Sequence, residues 1–172
     1  YVFCVVNGEE KIELSTPKIK GDSLFVSFPF FNSELVFKVV NKETIDGYWV
    51  NYNKGVNYKI PFSAKLSSCN RFSCGASSES INVSGKWEIS FEPETPSSYP
   101  ALGLFYQEEG NNVINGTFLT ETGDYRFLAG NTTKDSMYLS CFDGAHAFLF
   151  KAALSNDSLI GTFNSGNHWK ST

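Results

Sequence analysis

Short segments in which apolar and polar residues alternate follow one another along this chain of 172 residues. Alternation with a period of two is typical of strands that bury one face, and no segment shows a convincing helical period. The segments average about six residues, which is a common strand length. The pattern predicts strands at Tyr1–Val6, Lys11–Leu14, Leu24–Phe28, Leu35–Val40, Ile45–Tyr52, Tyr58–Leu66, Gly85–Phe91, Ala101–Gln107, Asn112–Thr120, Tyr125–Leu128, Met137–Phe142, Ala147–Leu154, Leu159–Phe163 and from Trp169 onward.

The connections between these segments are short and contain turn-forming pairs such as Asn7-Gly8, Asp46-Gly47 and Asp143-Gly144. Residues of these types tolerate a positive φ angle. A parallel pair of strands would need a crossover of a dozen or more residues, so neighbouring strands should be antiparallel. We therefore expect an all-β protein, an antiparallel meander that forms barrel-like or sandwich units without exposed edges.

One sequence pattern occurs twice. The stretch Asp22–Ser27 recurs as Asp135–Ser140, and six of the 28 positions from Asp22 to Trp49 are identical in the second copy. An internal repeat predicts architecture, here two similar β units. Further matching positions are Leu35–Lys38 with Phe148–Lys151, Ile45 with Leu159, Gly47 with Gly161, and Trp49 with Phe163.

A segment of different composition separates the two copies. Seven of the 18 residues from Ser67 to Ser84 are serine, and the hydrophobic pattern there is weak. Such a composition is typical of a linker or a long loop. We therefore predict a first β repeat unit at residues 1–66, a Ser/Cys-rich linker at 67–83 and a second β repeat unit at 84–172. The first unit lacks matches for some strands of the second, and we interpret the chain as a piece of a longer protein.

Composition and charge exclude some classes of function. Phenylalanine occurs 16 times, charged residues make up only 19%, and the net charge is −4. Because no run of Lys or Arg exists, the chain shows no footprint for nucleic acid. No apolar stretch approaches 18 residues, so the sequence predicts no transmembrane segment.

The four cysteines do not form a C-x-x-C motif, so a thioredoxin-type redox site is not predicted in this chain. Cys69 and Cys74 are five residues apart in the polar segment. They would close a small disulfide that contributes about 2 kcal/mol, or they are two free thiols. Cys4 and Cys141 alternate with apolar neighbours and are interpreted as small structural residues. The histidines and cysteines are too scattered to predict a zinc site, and we expect no cofactor.

Four polar residues in aromatic surroundings are candidate binding residues: Arg126, Asp143, His146 and His168. If the strands curl, these side chains would converge at one mouth of a barrel. A carboxylate beside an imidazole forms a workable acid–base pair, and an arginine can hold an anion. The alternative is a structural network in which Asp143 caps the turn before Gly144 and the histidines donate to backbone carbonyls. No serine or cysteine is placed as a nucleophile, so no catalytic residue is predicted.

The tripeptide Gly85-Lys86-Trp87 resembles the G-x-W that opens the first strand of lipocalin-type barrels, where the tryptophan closes one end beneath a ligand cavity. A core tryptophan at the start of a strand is the other interpretation. An eight-stranded barrel with an aromatic interior holds one small apolar ligand or fills itself. A lipocalin-like topology, with a calycin-like binding module for a small lipophilic ligand, is therefore an alternative expectation.

Longer motifs carry a second resemblance, which covers nearly the whole chain. The motifs are Asn7–Ile12, Tyr58–Phe62, Gly116–Leu128, Cys141–Phe150 and Ser165–Lys170. Together they look like the region ahead of the catalytic domain in bacterial envelope TlpA-like disulfide reductases. These proteins are often labelled redoxin or peroxiredoxin-family proteins.

The resemblance implies an indirect role for this chain. In such proteins a thioredoxin fold follows this region and carries W-C-x-x-C, the dithiol that exchanges with substrate disulfides. Nothing here matches that motif, so no catalytic residue is carried over. The chain would be a non-catalytic N-terminal accessory module of a thiol-disulfide oxidoreductase. Its location would be the periplasm or cell envelope of a Gram-negative bacterium, with or without a lipid anchor.

The expected partners are the covalently following thioredoxin-like domain and the protein substrates of that domain. A further alternative is a structural envelope domain that binds other proteins or glycans. This alternative predicts an exposed aromatic patch around Tyr48, Trp49 and Tyr52.

Overall fold

The computed structural model describes residues 2–55, 57–67, 71–72, 79–167 and 169–172. Within these ranges the chain forms β-strands and one short 3-10 helix, Tyr52–Lys54. No helix in these ranges has the length and hydropathy to cross a lipid bilayer. The strands are β1 (Cys4–Asn7), β2 (Glu10–Glu13), β3 (Lys18–Lys20), β4 (Ser23–Ser27), β5 (Ser33–Asn41), β6 (Thr44–Asn51), β7 (Lys59–Lys65), β8 (Gly85–Phe91), β9 (Tyr99–Gln107), β10 (Val113–Thr120), β11 (Gly123–Asp124), β12 (Leu128–Thr132), β13 (Ser136–Phe142), β14 (Ala147–Ser155), β15 (Ser158–Ser165) and β16 (Trp169–Ser171).

The strands form antiparallel sheets, which confirms the predicted all-β antiparallel meander. β1 pairs with β2, and β3 to β7 form a five-stranded sheet in chain order. A nine-stranded sheet follows the path β8-β9-β10-β12-β13-β14-β15-β16, with β11 paired to β10. The chain divides into two compact units. The first contains the five-stranded sheet and the loop 142–146, and the second contains the nine-stranded sheet and the turn Asn7–Glu10.

The large sheet of the second unit is nearly closed and barrel-like. Along β9 and β10, Phe105 and Phe118 lie in the buried interior, so the residues that alternate with them, such as Tyr106 and Thr117, lie on the outer face. Phe150 and Phe163 are stacked in the interior with ring centroids 4.3 Å apart. Large aromatic rings bury much apolar surface, and five phenylalanines belong to the buried cluster. The buried cluster consists of Val83, Phe91, Phe105, Ile114, Phe118, Leu128, Met137, Leu139, Cys141, Phe150 and Phe163.

Tyr125 joins this aromatic cluster from a turn and not from a strand. Its ring packs against Phe163 at 5.1 Å between centroids, and its hydroxyl lies 3.0 Å from that of Tyr99. Burial, together with this hydrogen bond, raises the pKa of Tyr99. The next residue, Arg126, has a φ angle of +57° and turns the chain outward. The predicted strand Tyr125–Leu128 is therefore wrong, and β12 begins at Leu128.

A glycine shared by the two copies of the repeat allows neighbouring strands to approach closely. A Cβ atom on Gly47 would lie 2.2 Å from the carbonyl oxygen of Val36. A Cβ atom on Gly161 would lie 2.1 Å from the carbonyl oxygen of Lys151. Glycine inside a strand often marks such a site of close backbone approach. This requirement gives a physical reason for the recurrence of glycine in both copies.

The two copies of the repeat form corresponding strands, β4, β5 and β6 in the first unit and β13, β14 and β15 in the second. β3 was not predicted, because its three residues Lys18–Lys20 show too short a pattern. The bounds predicted for the two repeat units, 1–66 and 84–172, stay a prediction. Much of the predicted linker at 67–83 lies outside the described residues.

Candidate functional site

Asp143 and His146 lie together in the loop between β13 and β14, which belongs to the first unit. The side chain of Asp143 is fully buried. Its Oδ1 atom accepts hydrogen bonds from the backbone N–H groups of Ala145 at 2.8 Å and His146 at 2.7 Å. Its Oδ2 atom lies 3.1 Å from Nδ1 of His146. A carboxylate that accepts backbone N–H groups two and three residues ahead stabilises a turn.

Two side chains from the five-stranded sheet hold the same loop. The Ser33 hydroxyl donates to the carbonyl oxygen of Gly144 at 2.5 Å, and the Asn51 amide donates to that of Ala145 at 3.4 Å. Gly144 has a φ angle of +94°, and a Cβ atom there would lie 2.3 Å from the ring of Phe28. The loop is therefore held at several points, and its carboxylate–imidazole pair has a fixed geometry.

The ionisation of Asp143 depends on opposing effects. Burial by itself raises the pKa of this carboxyl group. Hydrogen bonds from the His146 side chain and from the backbone N–H groups of His146 and Ala145 outweigh burial, so the pKa lies below its ordinary value. The carboxylate is thus negative near neutral pH and organises the loop as an acceptor.

We expect the variant Asp143→Asn to lower the free energy of unfolding by about 1–3 kcal/mol near neutral pH, because an amide cannot accept all three hydrogen bonds. The folded-state pKa of Asp143 is depressed, so its stabilisation is complete above the unfolded pKa of about 3.9. It is lost as the pH falls through the folded pKa. Urea unfolding of the wild type and of Asp143→Asn, between neutral pH and about pH 2, measures the difference between their free energies of unfolding.

The exposed carboxylate Asp157 provides a control for that experiment. Asp157→Asn should change the free energy of unfolding by less than about 0.5 kcal/mol. If the free energies of unfolding of the wild type and Asp143→Asn differ by the same amount down to the lowest pH, the role given to the carboxylate is contradicted.

Arg126 belongs to the second unit, where it pairs with a residue far away in sequence. Its guanidinium lies 2.9 Å from Oε1 of Glu10, and its backbone N–H donates to Asp124 at 3.2 Å. The side chains of Arg126 and Glu10 are 40% and 18% exposed, so the pair is partly buried. A partly buried arginine–carboxylate pair is stronger than an ordinary surface ion pair.

This ion pair lies in a cleft of about 800 Å³ on the outer face of β9 and β10. Tyr106 and Phe127 line it and are 62% and 61% exposed. The cleft also contains two buried oxygen atoms that have no hydrogen-bond partner among the described residues, Oε2 of Glu10 and Oγ1 of Thr117. A buried polar atom without a partner is costly, which is why such atoms often mark binding surfaces.

A second cavity, of about 300 Å³, lies at the wall of the barrel-like sheet. It reaches the aromatic interior at Phe91, Phe118 and Phe150 and is bounded by β8 and β15. The size and the aromatic part of the lining suit a small apolar group, while Glu88, Lys151 and Asp157 also line the cavity.

The structure brings together two of the four predicted binding residues, Asp143 and His146, while Arg126 belongs to the other unit. His168 lies outside the described residues, as does the predicted disulfide between Cys69 and Cys74. Cys4 is exposed, and Cys141 is buried in the aromatic core. The four residues stay candidate binding residues.

The predicted aromatic patch is wrong at its centre. Tyr48 and Tyr52 are exposed, but Trp49 is 3% exposed and packs edge-on against Tyr58 and Phe142. The period-two pattern supplies the reason, because Trp49 lies on the inner face of β6 while Tyr48 lies on the outer face.

Sequence reasoning missed the cleft residues Glu10, Tyr106 and Thr117. Glu10 is 116 residues from Arg126, and no local spacing indicates a contact over that separation. The signal that was available is the convergence of motifs, since Asn7–Ile12 and Gly116–Leu128 both supply residues to the cleft. Comparisons with protein-family models, with curated proteins and with solved structures find no match to this chain.

Proposed function

We propose that this chain is the non-catalytic accessory module of a bacterial thiol-disulfide oxidoreductase whose thioredoxin-like catalytic domain lies outside it. The supporting observation is that two motifs of the resemblance, Asn7–Ile12 and Gly116–Leu128, meet in one cleft. They are joined there by the ion pair between Glu10 and Arg126. Motifs that form one surface are more informative than motifs that are only scattered along a chain.

The chemistry of the chain suits a supporting role. The sequence has no C-x-x-C dithiol, so the chain does not carry the two-cysteine exchange reaction itself. A β-unit with a large buried aromatic core is a stable scaffold beside a reactive domain. The proposed contribution of the module is spacing, docking of a partner or presentation of a substrate, and its proposed location is the cell envelope.

The coding sequence that surrounds this chain in its source gene tests the proposal. A thioredoxin-like segment with W-C-x-x-C after Thr172, within about 100–200 residues, is the expected result. In that parent protein, Arg126→Ala should slow reduction of a protein disulfide about tenfold and leave reduction of a small disulfide unchanged, because the cleft docks protein surfaces.

The exposed surface pair of Lys134 and Glu79 supplies the matched control. Lys134→Ala should leave both rates unchanged, since surface ion pairs contribute little. A reading frame without any C-x-x-C segment would overturn the proposal, and equal loss with protein and small disulfides would remove the docking role.

Binding of a small lipophilic ligand is the second candidate function. The cavity of about 300 Å³ that reaches Phe91, Phe118 and Phe150 favours it. Saturable enhancement of the fluorescence of 1-aminoanthracene, lost on replacing Ala152 with Trp in the lining of the cavity, would support this candidate.

A further inference from the structure

Among the described residues of the second unit, the two most exposed aromatic residues line the same cleft. Tyr106 is 62% exposed and Phe127 is 61% exposed, whereas Phe72 and Trp169, the next two, are each 37% exposed. Both Tyr106 and Phe127 line the cleft of about 800 Å³ on the outer face of β9 and β10. Single exposed apolar residues are common on protein surfaces, but aromatic residues that share a concave surface indicate a binding site.

The sheet determines where Tyr106 stands in this cleft. The register of β9 and β10 places Tyr106 opposite Asn115 and Leu104 opposite Thr117. These four side chains lie on the outer face, because Phe105, between Leu104 and Tyr106, is buried in the interior. An aromatic ring, an apolar side chain, an amide and a hydroxyl group are therefore held side by side on two paired strands.

The turn Asn7–Glu10 borders the cleft and packs on its amide. A Cβ atom on Gly8 would lie 2.5 Å from Oδ1 of Asn115, so the backbone of the turn lies directly against this side chain. Arg126 is joined to the same turn by its ion pair with Glu10 at 2.9 Å. Polar groups that are already held in place cost less entropy when a ligand binds.

The cleft offers both hydrogen-bond donors and hydrogen-bond acceptors. The Arg126 guanidinium only donates, the Asp124 carboxylate only accepts, and the Asn115 amide does both. Oε2 of Glu10 and Oγ1 of Thr117 have no hydrogen-bond partner within the described part of the chain. A ligand that matches this lining must donate as well as accept, which hydroxyl groups do.

The charge of the lining disfavours other classes of ligand. It contains four carboxylates, of Glu9, Glu10, Glu108 and Asp124, and one guanidinium, of Arg126. The excess of negative charge repels anions such as phosphates and fatty acids. A wholly apolar ligand would displace water from the charged groups without replacing its hydrogen bonds. A cation is attracted, but it accepts no hydrogen bond from the guanidinium or the amide.

Neutral sugars combine the properties that the cleft selects. A pyranose ring carries hydroxyl groups around its edge and C–H bonds on its two faces. In β-linked glucose and N-acetylglucosamine the ring substituents are equatorial, so both faces are apolar. The weakly positive C–H bonds of such a face meet the negative face of an aromatic ring. The volume of the cleft lies within the range of about 300–1,000 Å³ that is usual for small-molecule sites.

We propose that this cleft binds a neutral oligosaccharide of β-linked glucose or N-acetylglucosamine units. Tyr106 and Phe127 stack on the sugar rings, while Arg126, Asn115 and Asp124 form hydrogen bonds with the hydroxyl groups. The inference uses only the second unit and does not depend on the proposed oxidoreductase role. It gives the cleft a ligand beyond the protein surfaces that it is proposed to dock.

Titration of the unchanged chain with cellotetraose and with tetra-N-acetylchitotetraose tests the proposal, by calorimetry and by NMR. At least one of the two should bind saturably with a Kd of about 1 mM or lower, and the amide signals of Tyr106, Asn115 and Phe127 should shift. Because these ligands are neutral, raising the NaCl concentration from about 0.05 to 0.5 M should change the Kd less than about twofold.

Two results of this titration overturn the proposal. One is the absence of saturable binding by both tetrasaccharides. The other is binding of tetralysine in their place, with an affinity that falls as salt is added, which would identify the cleft as a site for basic peptides. Neither result involves redox chemistry, so the test of the oxidoreductase role by the source gene is independent of both.

Protein variants locate the sugar. Tyr106→Ala and Phe127→Ala should each weaken binding about tenfold, because each removes an aromatic contact at the centre of the site. Tyr48→Ala is the matched control, since Tyr48 is a 50% exposed tyrosine on β6 of the first unit, and it should leave the Kd unchanged. Circular dichroism verifies that the three variants fold. Unchanged affinity in both cleft variants would overturn the proposal.

Discussion

Replacing Phe163 with alanine is expected to lower the free energy of unfolding by about 3–5 kcal/mol, the usual cost of removing a buried phenylalanine. Phe163 is 2% exposed and is stacked on Phe150. Its ring also packs edge-on against Tyr125 and Trp169, with centroids 5.1 and 5.2 Å away. The truncation would remove contacts to three strands or turns at once, and the surrounding sheet cannot collapse to fill the space.

Urea unfolding, followed by far-ultraviolet circular dichroism, measures this loss. Phe127→Ala is the matched control, because the Phe127 residue is 61% exposed and therefore buries little apolar surface on folding. We expect the control to change the free energy of unfolding by less than about 0.5 kcal/mol. Similar losses in the two variants would show that the aromatic cluster does not carry the stability of the second unit.

Gly130→Ala is expected to be comparably damaging, with a loss of about 3 kcal/mol or more from overpacking. Gly130 lies in the middle of β12 and pairs with Leu139 of β13. A Cβ atom there would lie 1.7 Å from the carbonyl oxygen of Tyr138 and 3.0 Å from Cα of Leu139. Both obstacles are backbone atoms, so relief requires the two strands to separate and lose hydrogen bonds.

The control for this variant is Gly110→Ala. Gly110 has a φ angle of +73°, but a Cβ atom there would meet nothing within 4 Å. Its replacement therefore costs only the strain of a left-handed conformation, about 1–2 kcal/mol. Thermal unfolding of both variants makes the comparison, and a Tm for Gly130→Ala at or above that of Gly110→Ala would refute the close-approach argument.

The regular strands were predictable from the sequence because one face of each is buried. β8 was predicted from Gly85 to Phe91, and it has these bounds in the structure. In β9 and β10 the alternating apolar residues, such as Phe105 and Phe118, face a common interior. A period of two is visible without knowledge of the partner strand, so it identifies strands reliably where water lies on the other face.

β12 was not predictable, because all five of its residues are buried and two of them are polar. Asn131 and Thr132 are 1% and 0% exposed. Gln107 donates to Thr132 at 3.0 Å, and Asn131 donates to the carbonyl oxygen of Asn112 at 3.4 Å. Buried polar groups of this kind depend on partners 19 and 25 residues away. A local pattern does not reveal such partners, so the segment looks like a loop.

The candidate site was predictable in its local part only. Asp143 precedes a glycine in a turn, and the sequence alone suggested that it caps this turn; its hydrogen bonds to Ala145 and His146 have that geometry. Arg126 was expected to converge with Asp143 and His146 at one mouth of a barrel. That expectation depended on which distant strands are neighbours, and the sequence does not show this. Arg126 pairs with Glu10, which lies in the motif Asn7–Ile12, but no local spacing predicts a contact between the two residues.

One peptide bond separates the inside of the barrel wall from its outside at Tyr125 and Arg126. The tyrosine ring packs into the aromatic core, and the arginine side chain lines the outer cleft. A molecule that binds in the cleft at Arg126 therefore lies one residue along the chain from a partly buried aromatic ring. The NMR signals of the Tyr125 ring are thus a natural place to look for the effect of binding on the outer face.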